Sequence, residues 1–158
     1  IVGNDIDTSA MKVFAQNAAR ARLEGHVLAV HGDLRDLSPH RIHRMLVARR
    51  PALWPQAAPE RGLIVANPPY GERIEHGPAG QDVTEVYEAL RDLCVRFGSG
   101  WRAAFLVAHP DFERIFGARP SMKKPVSNGQ IRANLLVYDV DDLTPKAGRR
   151  ASGGSRRR

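Results

Sequence analysis

Apolar residues recur along the chain in two alternating patterns. Short apolar runs typical of buried strands are separated by longer segments in which apolar residues recur every three or four positions, as on one face of a helix. The predicted strands are Ile1–Asp5, Val27–Val30, Leu63–Ala66 and Ala103–Ala108. Apolar strands that alternate with helices predict an α/β fold whose parallel sheet is covered by helices on both faces.

Helices are predicted after each of the first three strands. The first begins at about Thr8, behind Asp7 as N-cap, and ends at Gly25. The second begins with Ser38 as N-cap and Pro39 in its first turn. Apolar spacing marks the inner faces of the three helices: Met11, Phe14, Ala15 and Ala18; Ile42, Met45 and Leu46; and Val83, Val86, Tyr87, Leu90, Leu93, Cys94 and Phe97.

The pattern changes after the fourth strand. Arg119–Val126 and Ile131–Val140 read as strands on either side of Asn128-Gly129, a dipeptide that favours tight hairpin turns. The sequence therefore predicts an antiparallel hairpin added to the parallel sheet. Pro51–Pro59 predicts a loop. Gly98-Ser99-Gly100 follows a helix and precedes a strand, which is the wrong context for a glycine-rich binding loop, so it predicts a turn.

Polar residues follow three of the predicted strands. Asp5 and Asp7 follow the first strand, Asp33 follows the second, and Asn67-Pro68-Pro69-Tyr70 follows the third. Ligands of open parallel sheets bind beyond the carboxyl ends of the strands. We therefore expect these three groups to line one edge of the sheet and to form the functional site.

The chemistry of these residues narrows their roles. A carboxylate such as Asp5 can accept both hydroxyls of a ribose, whereas Asp7 is better explained as a helix cap. Asp33 fits an adenine amino group and an ordinary turn equally well. The two prolines stiffen Asn67-Pro68-Pro69-Tyr70, so the asparagine side chain and a proline carbonyl present acceptors in a set geometry. A structural turn needs neither that asparagine nor that tyrosine, so this loop is the candidate catalytic site.

Composition limits the class of protein. With 158 residues, 42% of them hydrophobic, and no long apolar run, the chain predicts one domain or part of one, without a membrane span. The single cysteine, Cys94, excludes an internal disulfide framework and a cysteine-rich zinc site, is expected in the core and fits the reducing cytoplasm. His40 and His43 lack a third ligand nearby, so no metal site is expected.

The formal net charge of +7 is concentrated at the end of the chain. Residues 145–158 contain six arginines and lysines and no acid, which leaves +1 for residues 1–144. Because this segment is also poor in apolar residues, we predict a folded portion over 1–143 and a disordered basic tail over 144–158. Such a tail is either a solvated terminus without a specific role or an arm that adds salt-sensitive attraction to phosphates.

The order GNDID, HGDL and NPPYGER resembles class I S-adenosylmethionine-dependent methyltransferases that modify exocyclic amino groups. With the later Asn-Gly hairpin, the chain is most similar to the methyltransferase domain of bacterial THUMP-containing enzymes that make N2-methylguanine in large-subunit ribosomal RNA. The resemblance covers about Ile1 to Val140. It implies a Rossmann-like sheet, S-adenosyl-L-methionine as cofactor and ribosomal RNA as partner.

The resemblance also implies roles for individual residues. Asn67 and the Pro68 carbonyl would accept the two hydrogens of the target amine and orient its lone pair toward the methyl group. Tyr70 would stack on a flipped base, Gly71 would let the backbone approach that base, and Arg73 would pair with a phosphate or with a neighbouring glutamate. The implied sets are Asp5, Ile6, Asp33, Leu34 and Asn67 for the cofactor, Asn67, Pro68, Pro69 and Tyr70 for catalysis, and Tyr70, Gly71 and Arg73 for the substrate.

The chain departs from this family in one respect. The family carries a glycine-rich loop after a first strand at the centre of its sheet, and this chain opens at the next, acid-bearing strand. We therefore expect the C-terminal part of a methyltransferase domain, with a sheet that is split, closed up or held open there and an exposed apolar edge. We also expect residues 1–158 alone neither to bind the methyl donor tightly nor to methylate a substrate.

Other functions fit the same motifs. The NPPY sequence is shared with adenine-N6, cytosine-N4 and glutamine-N5 methyltransferases, so it defines the reaction better than the substrate. A protein glutamine methyltransferase would place a glutamine in the loop, and a DNA adenine-N6 methyltransferase would place an adenine there. A third alternative is a noncatalytic RNA-binding remnant that uses its arginine-rich tail.

Overall fold

A computed structural model describes residues 1–49, 59–69, 82–128 and 131–144. Strands and helices alternate in this part of the chain, as the sequence predicts. The strands are β1 Val2–Asp5, β2 Leu28–His31, β3 Gly62–Ala66, β4 Trp101–Val107, β5 Met122–Asn128 and β6 Ile131–Asp139, and the helices are α1 Thr8–Arg20, α2 Pro39–Arg49, α3 Val83–Phe97 and α4 Phe112–Phe116. No helix in these ranges is long and apolar enough to cross a membrane.

The strands form two separate sheets. β1 and β2 pair in parallel, from Val2 beside Leu28 to Asp5 beside His31. The second sheet has the order β3-β4-β6-β5, in which β3 and β4 are parallel and β5 and β6 form an antiparallel hairpin. No backbone ladder joins β1 to β3 within the described residues. Of the three arrangements that the sequence left open, this excludes the closed-up sheet, in which β1 would pair with β3, and fits both the split and the held-open sheet.

Along β3, only one of the two faces of the second sheet is covered. Ile64 and Ala66 pack against the core, whereas Leu63 and Val65 on the opposite face are 57% and 71% exposed. Side chains alternate between the two faces of a strand, and the core lies on only one of them here. The prediction that helices cover both faces is therefore wrong for β3.

Both sheets share one core, which is built around α3. Cys94 is fully buried on this helix, as predicted. The core includes residues from both sheets and from α2 to α4: Leu28, Val30, Leu46, Tyr87, Leu90, Leu93, Phe105, Phe112, Phe116, Leu136 and Tyr138. Arg96 of α3 also donates to the carbonyls of Leu34 and Leu37, each at 3.1 Å. The two sheets are thus held together by α3.

The first helix ends earlier than the sequence suggested. α1 stops at Arg20 instead of Gly25. Arg22, with a φ of 57°, takes the left-handed position that glycine usually occupies after a helix, and its amide donates to the Ala19 carbonyl at 2.9 Å. Ala15 was expected on the inner face but is exposed. Phe14, also expected on the inner face, packs on β1, as its tight approach to Gly3 shows.

Some predicted features are confirmed and some short elements were missed. Asp7 and Ser38 cap their helices, and Gly98 and Gly100 lie in a turn with φ values of 79° and 83°. α4 and the 3-10 helix Leu34–Asp36 are too short for their periodicity to be detected in the sequence. The predicted proline-rich loop, apart from Pro59, the residue Gly129 of the hairpin turn and the basic tail from Pro145 onward lie outside the described residues.

Buried acidic groups make the fold sensitive to alkali. Burial raises the pKa of the Tyr87 phenol and that of the Cys94 thiol, each to about 12, and also raises the pKa of the Tyr138 phenol. Below their ordinary pKa values, 9.0 for the thiol and 10.0 for the phenols, all three groups are neutral in the folded and in the unfolded chain. At higher pH the unfolded chain loses protons that the folded chain retains, so stability should fall between about pH 9 and 12.

Phenolate absorbance and circular dichroism, followed together against pH, test this expectation. Of the three tyrosines, Tyr87 and Tyr138 should ionise only as the helical signal is lost. Tyr138→Phe should remove one phenol from that late transition. Ionisation of both phenols near pH 10, with the dichroism unchanged, would contradict the burial described here.

Candidate functional site

The loop after β1 presents an exposed carboxylate. Asp5 Oδ1 accepts the amide of Asp7 at 2.9 Å, and Asp7 Oδ1 accepts the amide of Ser9 at 2.7 Å. Asp7 is therefore the N-cap of α1, as its position predicted. Asp5 is exposed at the carboxyl end of β1, where its carboxylate can be reached from solvent.

Two polar side chains that the sequence reading missed hold this loop against β2. His31 Nε2 lies 3.0 Å from the Ile6 carbonyl and 3.1 Å from Thr8 Oγ1. Because a carbonyl can only accept, the proton of this contact lies on Nε2. Asn4 Nδ2 donates to two carbonyls at the end of β2, at 2.9 and 3.0 Å. The only sequence signal for either residue is a polar side chain at the end of an apolar strand.

Asp33 lies in the loop after β2, beside the loop of Asp5. The Gly32 amide donates to the Asp5 carbonyl at 3.0 Å, which joins the two loops directly. Asp33 caps the 3-10 helix Leu34–Asp36, with Oδ1 accepting the Arg35 amide at 2.8 Å and Oδ2 accepting its guanidinium at 2.9 Å. The local structure thus accounts for Asp33 as a capping residue. A cofactor amino group would have to share these oxygens with Arg35.

Asn67, Pro68 and Pro69 follow β3 without a break. Asn67 is exposed, Pro68 is buried and Pro69 is half-buried. The prolines therefore anchor the segment in the protein while Asn67 stays accessible at the carboxyl end of the strand. This is the arrangement expected of a stiff loop that presents one amide side chain to a ligand.

Tyr87 of α3 contacts this loop directly. Its hydroxyl donates to the Pro69 carbonyl at 2.6 Å. The ring is fully buried and lies edge-on to Phe112 and His109, with centroids 4.7 and 5.7 Å away. The sequence identified Tyr87 only as part of the inner face of a helix. The feature that could have indicated this contact was its hydroxyl group, because a buried tyrosine usually finds a hydrogen-bond partner.

The beginning of α3 brings the two halves of the site together. Glu85 lies 3.4 Å from Arg35, which is bound to Asp33, and Tyr87, two residues on, holds Pro69. The Glu85 to Arg35 pair is exposed and contributes little energy. It nevertheless shows that the loops after β2 and β3 meet at the same end of one helix. Both loops thus contact the beginning of α3, although β2 and β3 lie in separate sheets.

The remaining predicted residues are accommodated differently. Ile6 is 43% exposed next to Asp5, so it can offer an apolar contact to a ligand. Leu34 packs against the core and its carbonyl accepts from Arg96. Tyr70, Gly71 and Arg73 lie outside the described residues.

The accessible oxygen atoms at this edge fit a nucleoside better than a metal ion. Carboxylate and amide oxygens from Asp5 and Asn67 are accessible, and such acceptors match ribose hydroxyls and amino groups. Within the described ranges, no group of three histidine, cysteine or acidic side chains is placed to hold a metal. The Tyr87 phenol is protonated at neutral pH, as an ordinary tyrosine is, and burial raises its pKa further, to about 12, so it can donate to the Pro69 carbonyl.

Comparison with known families defines the class. Residues 1–136 match the UPF0020 family, described as the RMKL-like methyltransferase domain. The chain belongs to this family of methyltransferase domains. Its mixed α/β structure, with parallel and antiparallel strands, is a Rossmann-like methyltransferase fold, as the resemblance in the sequence implied.

Two curated relatives indicate which branch of methyltransferases it is similar to. Proteins named Ribosomal RNA large subunit methyltransferase K/L, from Syntrophotalea carbinolica and Allochromatium vinosum, are each 28% identical to the chain over 140 and 139 residues. The matches cover 89% and 88% of this chain but only 17% and 16% of those proteins. The chain thus spans about one sixth of the length of these relatives.

Solved structures share the fold. SMU.472 complexed with SAH superposes with a TM-score of 0.66 at 23% identity, covering 88% of this chain and 31% of that one. A protein described as a predicted N6-adenine-specific DNA methylase, from Listeria monocytogenes, gives a TM-score of 0.62 at 26% identity. The match covers 87% of this chain and 30% of that one. The METTL16 methyltransferase domain gives 0.58 at 11% identity, covering 89% and 50%.

Proposed function

We propose that this chain supplies part of the donor site and the catalytic loop of an S-adenosylmethionine-dependent methyltransferase. The target is an exocyclic amino group of a nucleobase, guanine N2 in large-subunit ribosomal RNA. The observation that carries the proposal is the segment Asn67-Pro68-Pro69. It lies at the carboxyl end of a parallel strand, is anchored through Pro68 and Pro69, and leaves Asn67 exposed.

Some residues at this edge would bind the methyl donor, and others would bind the amine that accepts the methyl group. S-adenosylmethionine, when bound, supplies a methyl group on a positively charged sulfur. Asp5 would accept the ribose hydroxyls from its exposed position beside β2, and Ile6 would offer an apolar contact next to it. Asp33 lies one residue beyond the amide that bonds to the Asp5 carbonyl, so it would border the same nucleoside.

The loop after β3 would orient the amine. The lone pair of a guanine amino nitrogen is delocalised into the ring, so the nitrogen becomes reactive when both of its hydrogens are held by acceptors. The Asn67 side-chain oxygen and the Pro68 carbonyl are the acceptors proposed. The Pro69 carbonyl is already bound by Tyr87, so it serves the loop and not the amine. Fixed acceptors lower the barrier because they need no reorganisation during the reaction.

The substrate class rests on the relatives. Two of them are named for methylation of large-subunit ribosomal RNA, which favours an RNA base. A structural neighbour at 26% identity is named for adenine N6 in DNA, which makes adenine the second candidate. A base in a helix must be flipped out to reach such a loop in either case.

Product identification distinguishes these candidates. The full-length protein would be incubated with tritiated methyl donor and, separately, with unmodified large-subunit ribosomal RNA, with DNA and with a glutamine-containing protein extract. We expect label only in RNA, and nucleoside mass spectrometry should identify it as N2-methylguanosine. N6-methyladenosine in DNA, or methylglutamine in protein, would replace the proposed substrate while keeping the reaction. No transfer to any of the three would refute the proposal.

A further inference from the structure

Tyr87 makes a specific contact with the proposed catalytic loop. Its hydroxyl donates to the Pro69 carbonyl at 2.6 Å, and this hydrogen bond connects α3 to the loop. The phenol is fully buried, so its hydroxyl is shielded from water. A hydrogen bond in such surroundings is stronger and more directional than one at the surface.

The position of the phenol is fixed on every side. Asp82, five residues before Tyr87, caps α3 through the Thr84 amide at 2.9 Å and so sets the start of the helix. The ring is clamped by Phe112 and His109, and His109 is itself held because its Nδ1 accepts the Asp111 amide at 3.1 Å. The hydroxyl therefore has one well-defined direction, and that direction is toward Pro69.

We infer that Tyr87 is a positioning residue, whose hydroxyl sets the orientation of the Asn67-Pro68-Pro69 backbone and thereby of the acceptors that hold the amine. This inference rests on the proposed function of that loop. The two prolines already restrict their own φ angles, and the hydrogen bond from Tyr87 adds a restraint at the second of them. Tyr87 would touch neither the methyl donor nor the substrate and would act through the loop alone.

Tyr138 provides a matched control within the same core. It is 1% exposed and packs on Phe116 and Phe105, but its hydroxyl is buried without a hydrogen-bond partner in the described part of the chain. Removing either hydroxyl leaves a phenylalanine of nearly the same volume in a comparable aromatic setting. The two variants therefore differ in whether a contact with the loop is lost.

The test compares Tyr87→Phe and Tyr138→Phe in the full-length protein, with Asn67→Ala in the same assay. We expect Tyr87→Phe to lower kcat about tenfold, the equivalent of one hydrogen bond, with donor Kd unchanged. Hydrogen exchange of the amides of residues 62–67, a segment that ends beside two prolines without an amide hydrogen, should become faster in that variant. Tyr138→Phe should match the parent protein in turnover and in exchange of that segment. Assays are run below the unfolding transition of both variants, as checked by circular dichroism.

The outcomes separate the inference from the proposed function. If Asn67→Ala slows turnover and Tyr87→Phe behaves like Tyr138→Phe in both turnover and exchange, Tyr87 is only a core residue and the inference is wrong. If Asn67→Ala turns over normally, the proposed role of the loop itself has failed. If Tyr87→Phe is too unstable to assay for turnover, exchange at low temperature decides, since a loop no looser than in Tyr138→Phe overturns the inference.

Discussion

Replacing Asn67 by alanine is expected to reduce the turnover of the full-length protein about 100-fold or more, because an oriented acceptor at the reacting group is lost. Asn67 is exposed at the end of β3, and the prolines beside it are anchored without its side chain. The substitution should therefore leave the loop in place. Donor affinity should change by less than about threefold, since the interaction is made mainly as the amine reacts.

Steady-state kinetics and calorimetric titration of the donor, on the same preparation, measure the two effects. Asn17→Ala is a suitable control because Asn17 is an exposed residue within α1, away from the loop. Alanine also favours the helix at that position. Turnover of Asn67→Ala near that of Asn17→Ala would remove Asn67 from the catalytic step.

Replacing Asp5 by asparagine is expected to weaken donor binding about 10- to 100-fold, the usual cost of losing hydrogen bonds to a charged group. Asparagine keeps an oxygen that can still accept the Asp7 amide, as Asp5 Oδ1 does at 2.9 Å, so the turn should survive. What is lost is the charge and one acceptor. With donor at saturation, turnover should recover to near that of the parent protein, which is the reverse of the pattern expected for Asn67→Ala.

Asp7→Asn is the control for this substitution. Asp7 lies two residues away, is exposed and caps α1 through the Ser9 amide. Asparagine caps helices about as well as aspartate, so donor affinity should stay the same. Equal losses of affinity in Asp5→Asn and Asp7→Asn would indicate a general effect of charge at this edge and not ribose recognition by Asp5.

The sequence could locate the strand ends that carry the candidate site but not the side chains that hold its loops in place. Strand ends at Asp5 and Asn67 could be located because apolar runs stop there, and the rule for parallel sheets placed both at one edge. His31 and Tyr87 were beyond reach because their roles depend on which carbonyl lies opposite, 25 and 18 residues away along the chain. Periodicity indicates that such a residue faces inward but does not identify its hydrogen-bond partner.

The errors in the fold have equally local causes. Gly25 was predicted to end α1 because glycine usually occupies the left-handed position, but Arg22 occupies it at a φ of 57°. Leu63 and Val65 were predicted to be buried because an apolar strand suggests cover on both faces, yet they are exposed. Which faces of a strand are covered depends on the surrounding elements and cannot be read from the strand itself.

The most direct test of the central claim is a crystal structure of the full-length protein with S-adenosylhomocysteine bound. The claim is that the carboxyl edge carrying Asp5, Asp33 and Asn67 holds the donor and faces the target amine. We predict that the ribose hydroxyls lie within hydrogen-bond distance of the Asp5 carboxylate, and that the sulfur points toward Asn67 while Tyr87 still holds the Pro69 carbonyl. A nucleoside bound elsewhere, with Asp5 and Asn67 both facing solvent, would contradict it.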